Sequence, residues 1–559
     1  MIGKHRPSEI AELVAIMTEQ SIFHTHEVTD TFRRVSTGEL AMPETLDPDE
    51  KACVQEIFGR IADVGPGRAL AQIGPLLTTG CLPLPAREAP VPPRPGAFAA
   101  IARLVPEGLF TSEPGAPVLK DLNEDHLVDF AIMLFAHIMY DDFHYPQPEH
   151  GMYDVATDAI EQVKWLYHYR FNQLEIAQPG SGLEELFAGQ DLAFPEGDGT
   201  AKRRVSLTCG GDLLAVDVLV PANTEHLFDG IADFYCTADI VSANLESTIA
   251  SNKPTGRTQP AGSLARMNTS SEMFQRFRDQ GKINFISTAT NHALDWDVDG
   301  VEATLDVLRS SGARFAGTAS SAAEQDDVIV VEHNGIKVAL LTFTMDLNGH
   351  QPPADQPWLV NEVRFNDAVP APDYTLVQHH IAAAKAKGAD YIIAYCHWGW
   401  ELQMYPHPNV VRAAHTLIDL GIDTILGNHP YVAQPMQRVT RPGRPDGLIV
   451  YAFGDFVCYH PGSRNSKLAY TTRFDIVQED TSDGKRTYLA NLQMLPVYIL
   501  NADNGDGTHD CRILKFADVY ANPDAYPLTD RERSELDHLH NRVLHQILIP
   551  EGGDSILAD

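Results

Sequence analysis

Five short segments of this chain each deliver a side chain able to hold a cation or move a proton. Asp212 follows VSLTCGG, and Asn244 and Glu246 follow DIVSA. Asn291, His292 and then Asp295 follow NFISTAT, His397 follows YIIAYC with Glu401 four residues on, and His429 follows TILGN. Carboxylate, amide oxygen and imidazole make a mixed N/O donor set. That set suits Mn²⁺, Fe or Zn²⁺ better than an all-oxygen Mg²⁺ site or a thiolate site. Imidazole is also the usual proton carrier near neutral pH. Taken singly, an Asp or Asn after a strand is ordinarily a turn residue or a helix cap. A lone histidine is ordinarily packed, and Glu401 and Asp295 read equally well as solvated loop charges. The joint placement behind five candidate strands is what points to a metal.

Positioning such residues is the task of the elements before them. After Arg204 the sequence alternates β-rich runs with amphipathic helices. Candidate strands are Val205–Thr208, Asp239–Ala243, Ile283–Ser287, Val328–Val331, Val338–Thr342, Tyr391–Tyr395, Thr424–Leu426 and Leu448–Tyr451. Helices are expected at Val301–Ser310, Leu376–Lys387 and Val410–Leu420, with Gly312, Gly388 and Gly421 placed as left-handed caps. Such alternation predicts an α/β domain, in which binding groups gather at the carboxyl ends of strands. The tail carries a strand-like run, Leu489–Leu500, and a helix, Arg531–Gln546. The first 175 or so residues read as mostly helical, at Ile10–Thr18, Lys51–Ile61, Leu122–Ile138 and Ala156–Phe171. Pro-rich Leu82–Pro95 interrupts them, and QPGSG (178–182) and FPEGDGTAKRR (194–204) read as linkers. The expected division is a helical accessory domain at 1–200, an α/β domain at 201–485, and a C-terminal strand and helix packing on it at 486–559.

Composition limits the chemistry these elements serve. The 559 residues carry 42 basic and 76 acidic side chains, a formal charge of −34. Such a surface repels phosphate backbones and argues against nucleic acid as a partner. Apolar stretches fall short of the roughly 18 residues a membrane helix needs. The start, MIGKHRPSEIAEL, lacks the apolar run of a secretory signal. Seven cysteines without a C-x-x-C read as reduced thiols. The expectation is a cytoplasmic protein acting on a small molecule, with neither membrane nor nucleic acid as partner; oligomeric state is left open.

The same residues carry a resemblance. GGDLLA (210–215), ADIVSANLESTI (238–249), TNHALDWDVDGVEATLDVL (290–308), HWGWEL (397–402), LIDLGIDTILGNHPYVAQPM (417–436) and YAFGDFV (451–457) look like successive blocks of the CapA-like family, the capsule-synthesis protein A family of poly-γ-glutamate biosynthesis. They span about residues 204–480 and occur in family order. The resemblance implies a metallophosphatase-like, calcineurin-type fold, a β-sandwich flanked by helices. It further implies Asp212, Glu246, Asn291, His397 and His429 as metal ligands for one or two ions, with His292 near the substrate as general acid and Asp295 orienting it. A two-metal site of this kind lowers the pKa of a bound water and clamps the scissile group.

Three departures qualify the carry-over. Metallophosphatases open on D-x-H, whereas Asp212 is followed by Leu213 and Leu214. The family's H-P-H is His429-Pro430-Tyr431, so Tyr431 is either a phenolate ligand or a packed, hydrogen-bonded aromatic. The Asn of the G-N-F block is Asp455. A cluster of histidines near the N-terminal half (His137, His144 and His150 beside Asp141 and Asp142), like His24 and His26, reads as a hydrogen-bonding loop or as a lid over the site. The reading is a metal-dependent hydrolase of a phosphoester or of an amide or γ-glutamyl-type bond. Its alternative is a non-catalytic component of polymer or metabolite synthesis with a degraded metal site. An ATP-driven ligase lacks the G-x-x-x-x-G-K-[ST] loop.

Overall fold

The structure is a computed structural model that describes residues 174–258, 265–482 and 484–558, together with Thr37, His168 and Tyr169. The expected N-terminal helices and the histidines at 24, 26, 137, 144 and 150 lie outside the described residues, apart from helical His168 and Tyr169. From Leu174 onward the described chain belongs to one compact unit.

Its strands run in chain order as β1 (Thr200–Leu213), β2 (Ile240–Leu245), β3 (Gly256–Thr258), β4 (Arg266–Asn268), β5 (Phe285–Ser287) and β6 (Arg314–Ala316). There follow β7 (Ile329–His333), β8 (Ile336–Thr344), β9 (Tyr391–His397), β10 (Thr424–Asn428), β11 (Met436–Val439) and β12 (Gly447–Val450). The last four are β13 (Asp455–Val457), β14 (Leu468–Thr481), β15 (Gly484–Asp503) and β16 (His509–Lys515). The main helices are α1 (Ser271–Asp279), α2 (Asp297–Ser311), α3 (Thr375–Ala386), α4 (Pro408–Leu420) and α5 (Asp530–His538). All eight strands expected after Arg204 are present, as are the three helices. Gly312, Gly388 and Gly421 stand at or just beyond the ends of α2, α3 and α4 with positive φ.

Two mixed sheets result. One has the order β16-β15-β14-β1-β2-β5-β6, with β13 also paired to β1; the other has the order β11-β12-β10-β9-β8-β7. The sheets meet face to face: the Tyr395 hydroxyl on β9 donates to Ser242 Oγ on β2 at 2.9 Å, and Phe285 of β5 lies 5.0 Å from the Tyr395 ring. The central pairings β1–β2–β5 and β8–β9–β10 are parallel. The carboxyl ends of β1, β2 and β5 in one sheet, and of β9 and β10 in the other, therefore gather at one end of the stack.

Residues 486–559 contribute more than one strand and a helix. The 485/486 boundary falls inside β15, which pairs antiparallel with β14 and with β16 and so extends the first sheet. Leu495, Val497, Ile499, Cys511 and Ile513 join the same buried cluster as Leu213, Val241 and Ile286. Helix α5 opens on a reciprocal cap between Thr529 and Glu532 and continues as a π-helix over Leu539–Leu548. Five cysteines among the described residues (Cys209, Cys236, Cys396, Cys458, Cys511) are free thiols. No helix among the described residues is long and apolar enough to cross a membrane.

Candidate functional site

The sequence dictates where the site must form, because each strand hands its last residue to the shared end. Asp212 is the penultimate residue of β1, Glu246 follows β2, His397 closes β9 and His429 follows β10. Register brings Asp212 opposite Asn244 and Asn428 opposite His397. Close backbone approach is needed here, and glycine permits it. A Cβ on Gly427 would lie 2.0 Å from the Tyr451 carbonyl oxygen, and one on Gly211 would lie 2.1 Å from that of Gly454. The loop after β10 is bent hard. His429 has φ 105° and Tyr431 φ 58°, conformations that side-chain-bearing residues adopt only when their surroundings enforce them.

Glu246, His397 and His429 converge, each offering a ligand atom within 4.8 Å of the others, and all three are buried. His397 Nε2 lies 3.4 Å from Glu246 Oε1 and 2.9 Å from Asn291 Oδ1, which brings Asn291 to the same group. Tyr431 donates its hydroxyl to Glu246 Oε1 at 3.3 Å. Burial, then the charge of Glu246, push that phenol well above its ordinary range.

Asp212 sits behind this group. Its Oδ1 accepts from Asn244 Nδ2 at 2.6 Å and its Oδ2 from the His429 backbone N–H at 3.0 Å. The Asn244 amide also donates to His397 Nδ1 at 3.0 Å, so Asp212 is tied to His397 through Asn244. Leu214, at the place of the second D-x-H residue, packs in an apolar cluster with Val216, Met267 and Cys458. His292 Nδ1 lies 2.8 Å from Asp295 Oδ2, which also accepts the Met267 N–H at 2.6 Å. The pairing expected of His292 and Asp295 is therefore present in the geometry.

Burial dominates the electrostatics of this group. Burial pushes Glu246 up to about 7, and burial with the nearby Glu246 pushes Asp212 well above the carboxylate range. Burial holds His397 and His429 well below the usual imidazole value. Burial would lower His292 too, but the Asp295 charge and hydrogen bond outweigh it and raise that imidazole to about 9. Glu246 Oε2 and His429 Nδ1 are buried and have no hydrogen-bond partner among the described residues. A buried carboxylate oxygen and imidazole nitrogen without partners are costly unless something with positive charge satisfies them. The donors present, two imidazoles with a carboxylate and an amide oxygen nearby, fit a transition ion.

Sequence reasoning passes over two groups beside this set. Asp455 stands out only as a departure and His460 not at all. Their side chains pair, His460 Nδ1 to Asp455 Oδ2 at 2.6 Å, and the His460 ring lies 4.6 Å from that of Tyr431. The signal is a strand pairing, Asp212 with Asp455, which three-residue β13 makes to β1. Asn348 is missed as well: it accepts from Asn291 Nδ2 at 3.2 Å and approaches His292 Nδ1 at 3.4 Å.

Two parallel-centred sheets with a His/Glu site at their shared carboxyl end define the class, and comparison with known proteins agrees. Residues 195–460 match the family described as bacterial capsule synthesis protein PGA_cap; this stretch of the chain is CapA-like, and that family's fold is metallophosphatase-like. The capsule biosynthesis protein CapA of Bacillus anthracis is 24% identical over 260 residues, 45% of this chain and 60% of that protein. The PGA biosynthesis protein CapA of Bacillus subtilis (strain 168) is 26% identical over 234 residues, 42% of this chain and 57% of that one. A probable polyglutamine synthesis accessory protein of Mycobacterium tuberculosis is 27% identical over 219 residues, 38% and 54% respectively. The match thus spans 54–60% of the length of these relatives. A solved structure of a hypothetical protein from Thermus thermophilus aligns over 52% of this chain and 99% of that one, at TM-score 0.29 and 15% identity, too slight a likeness to support an argument.

Proposed function

We propose that this protein is a metal-dependent hydrolase of a small molecule. The observation that carries the reading is the convergence of Glu246, His397 and His429, with Glu246 Oε2 and His429 Nδ1 buried and unpartnered among the described residues. Glu246, His397, His429 and Asn291 would hold a divalent transition ion, Mn²⁺, Zn²⁺ or Fe, and Asp212 and Tyr431 would complete a second site if two ions bind. When bound, such an ion polarises the scissile group and acidifies a bound water.

The chain's own residues supply the rest. His292, fixed through Nδ1 by Asp295, keeps Nε2 for a proton to the leaving group, and its raised pKa keeps that proton on the ring at neutral pH. Burial of Glu246 and both ligand histidines excludes water from the far side of the group. A phosphoester suits the fold, and an amide or γ-glutamyl-type bond suits the polymer named in the relatives' descriptions. An accessory role for the N-terminal residues, and action in the cytoplasm on a small molecule without nucleic acid or membrane, belong to the same proposal.

A second reading, a CapA-like component that binds without turnover, is favoured by Leu214 in an apolar cluster and by the Tyr431 hydroxyl on Glu246. Elemental analysis of protein purified without chelator, followed by phosphomonoester, phosphodiester and amide panels, separates the two. The hydrolase reading expects about one equivalent or more of a transition metal and turnover in one panel; below about 0.5 equivalents it fails.

A further inference from the structure

The outer strand of one sheet, β6, and that of the other, β7, lie beside one cavity. β7 pairs with β8 only as far as Ile329 opposite Leu340, while β8 runs on to Thr344. Past Leu340 the edge of β8 is met by side-chain amides instead of a strand. Asn361 Nδ2 donates to the Thr342 carbonyl at 3.1 Å, and Gln325 Nε2 donates to Asn361 Oδ1 at 3.0 Å. The space left between this edge, β6, the short helix Ala322–Asp326 and α3 is about 260 Å³. None of the residues around it belongs to the Glu246–His397–His429 group or to the His292–Asp295 pair.

Much of its wall is apolar, formed by Phe315, Ala319, Val328, Ile329 and Leu340. Two polar side chains stand in the same lining, Thr342 and His380, which are 0% and 2% exposed. Thr342 Oγ1 and His380 Nε2 are buried without a hydrogen-bond partner among the described residues. Gly317, also in the lining, keeps the space beside that hydroxyl open, since a Cβ there would lie 2.5 Å from Thr342 Oγ1. Burial keeps the His380 imidazole neutral, pushed down to about 4, and the Gln325 backbone carbonyl takes the ring's other hydrogen bond. A neutral ring that gives its proton there presents Nε2 as an acceptor. Arg314 and Asp327, both exposed, mark the way in from solvent. Leaving the two buried groups unbonded is costly unless a molecule in the cavity meets them. An apolar hollow with a few polar groups in its lining is the usual form of a small-molecule site.

We propose that this cavity is a second binding site, taking a small neutral amide with an apolar body, whose N–H donates to His380 Nε2 and which also meets the Thr342 hydroxyl. Benzene fills an engineered apolar cavity of about 150 Å³, so this one has room for a ring bearing a polar group. A carboxylate has no proton to offer Nε2 and would lose its water against this lining, so an anion of the same shape is disfavoured. The site stands independently of the hydrolase reading.

Calorimetric titration of the full-length protein tests it, with benzamide in one arm and benzoate in the other. Benzamide should bind at about millimolar concentration, and benzoate at least about tenfold more weakly. His380→Phe keeps a ring and removes the acceptor, and should weaken benzamide by about tenfold, or about 1.4 kcal/mol. Thr342→Val keeps the shape of the side chain and removes a hydroxyl that has no partner. It should weaken benzamide by less, without loss of thermal stability, and it stands as the test alone if His380→Phe does not fold. The proposal is overturned if the wild type does not bind benzamide, which leaves the cavity to water. It is also overturned if benzoate binds as tightly, or if every variant that folds binds benzamide as the wild type does. Neither metal content nor turnover enters the comparison, so failure of the hydrolase reading leaves its result untouched.

Discussion

His397 and His292 lie in one pocket with opposite surroundings, and their substitution should separate two roles. His397 contacts Glu246, Asn291 and Asn244 through both ring nitrogens, so His397→Ala removes a donor from the centre of the group. Metal content of that variant, measured by elemental analysis, should fall at least about tenfold. His292 is anchored to Asp295 rather than to the converging ligands. His292→Ala should keep its metal and lose about 10²- to 10⁴-fold in kcat, the span of a general acid. At this scale Glu246, His397 and His429 were legible because each terminates a strand, and an apolar run ends where its polar successor begins. The engagement of Asp212 was not. It depends on Asn244 standing opposite it across a sheet and on a backbone N–H that arrives from the other sheet. His460 was hidden for a related reason, since nothing in its own segment records that β13 lies against β1.

Between elements, the site depends on how closely backbones approach. Gly211 passes the Gly454 carbonyl, and Gly427 passes the Tyr451 carbonyl and the Trp398 indole nitrogen. An added methyl at either position meets backbone that cannot rotate away. Gly211→Ala and Gly427→Ala should each cost about 1–3 kcal/mol of stability in urea unfolding, and both should lower metal affinity because the displaced strands carry Asp212 and His429. A Gly484→Ala control, with open space around its Cβ position but φ at 116°, should cost less and leave metal binding alone. The parallel strands were legible as short apolar runs between helices whose ends glycine marks. β14 was not, because Thr471, Thr472, Gln478 and Glu479 are buried within it and interrupt the apolar signal. β13, three residues long, gives too short a run to show any period.

The molecule as a whole makes two predictions. Ending the chain at residue 485 would remove nearly all of β15 and the whole of β16, exposing the β14 edge and taking Leu495, Val497, Ile499 and Ile513 from the main core. Such a truncation should show no cooperative thermal unfolding by circular dichroism. The second prediction concerns pH. His380 and His407, on or beside α3 and α4, are pushed down to about 4, chiefly by burial, with His379 and Arg412 adding to it respectively and Asp326 opposing it at His380. Because the unfolded chain takes up these protons near pH 6.5 and the folded one only near 4, stability is full above 6.5 and declines as pH falls through that window. Urea unfolding should lose stability between about pH 7 and pH 4.5, by on the order of a few kcal/mol for the two together, and His380→Gln should flatten part of that slope.

The bond from the His429 backbone to Asp212 joins residues 217 apart in sequence and belongs half to each sheet. Neither sheet alone presents the complete Glu–His–His group, so the proposed ion capture would be a late product of folding rather than a property of any fragment. In a refolding experiment the recovery of ion capture should trail the recovery of β-structure, which makes the ion a clock for the docking of the two halves.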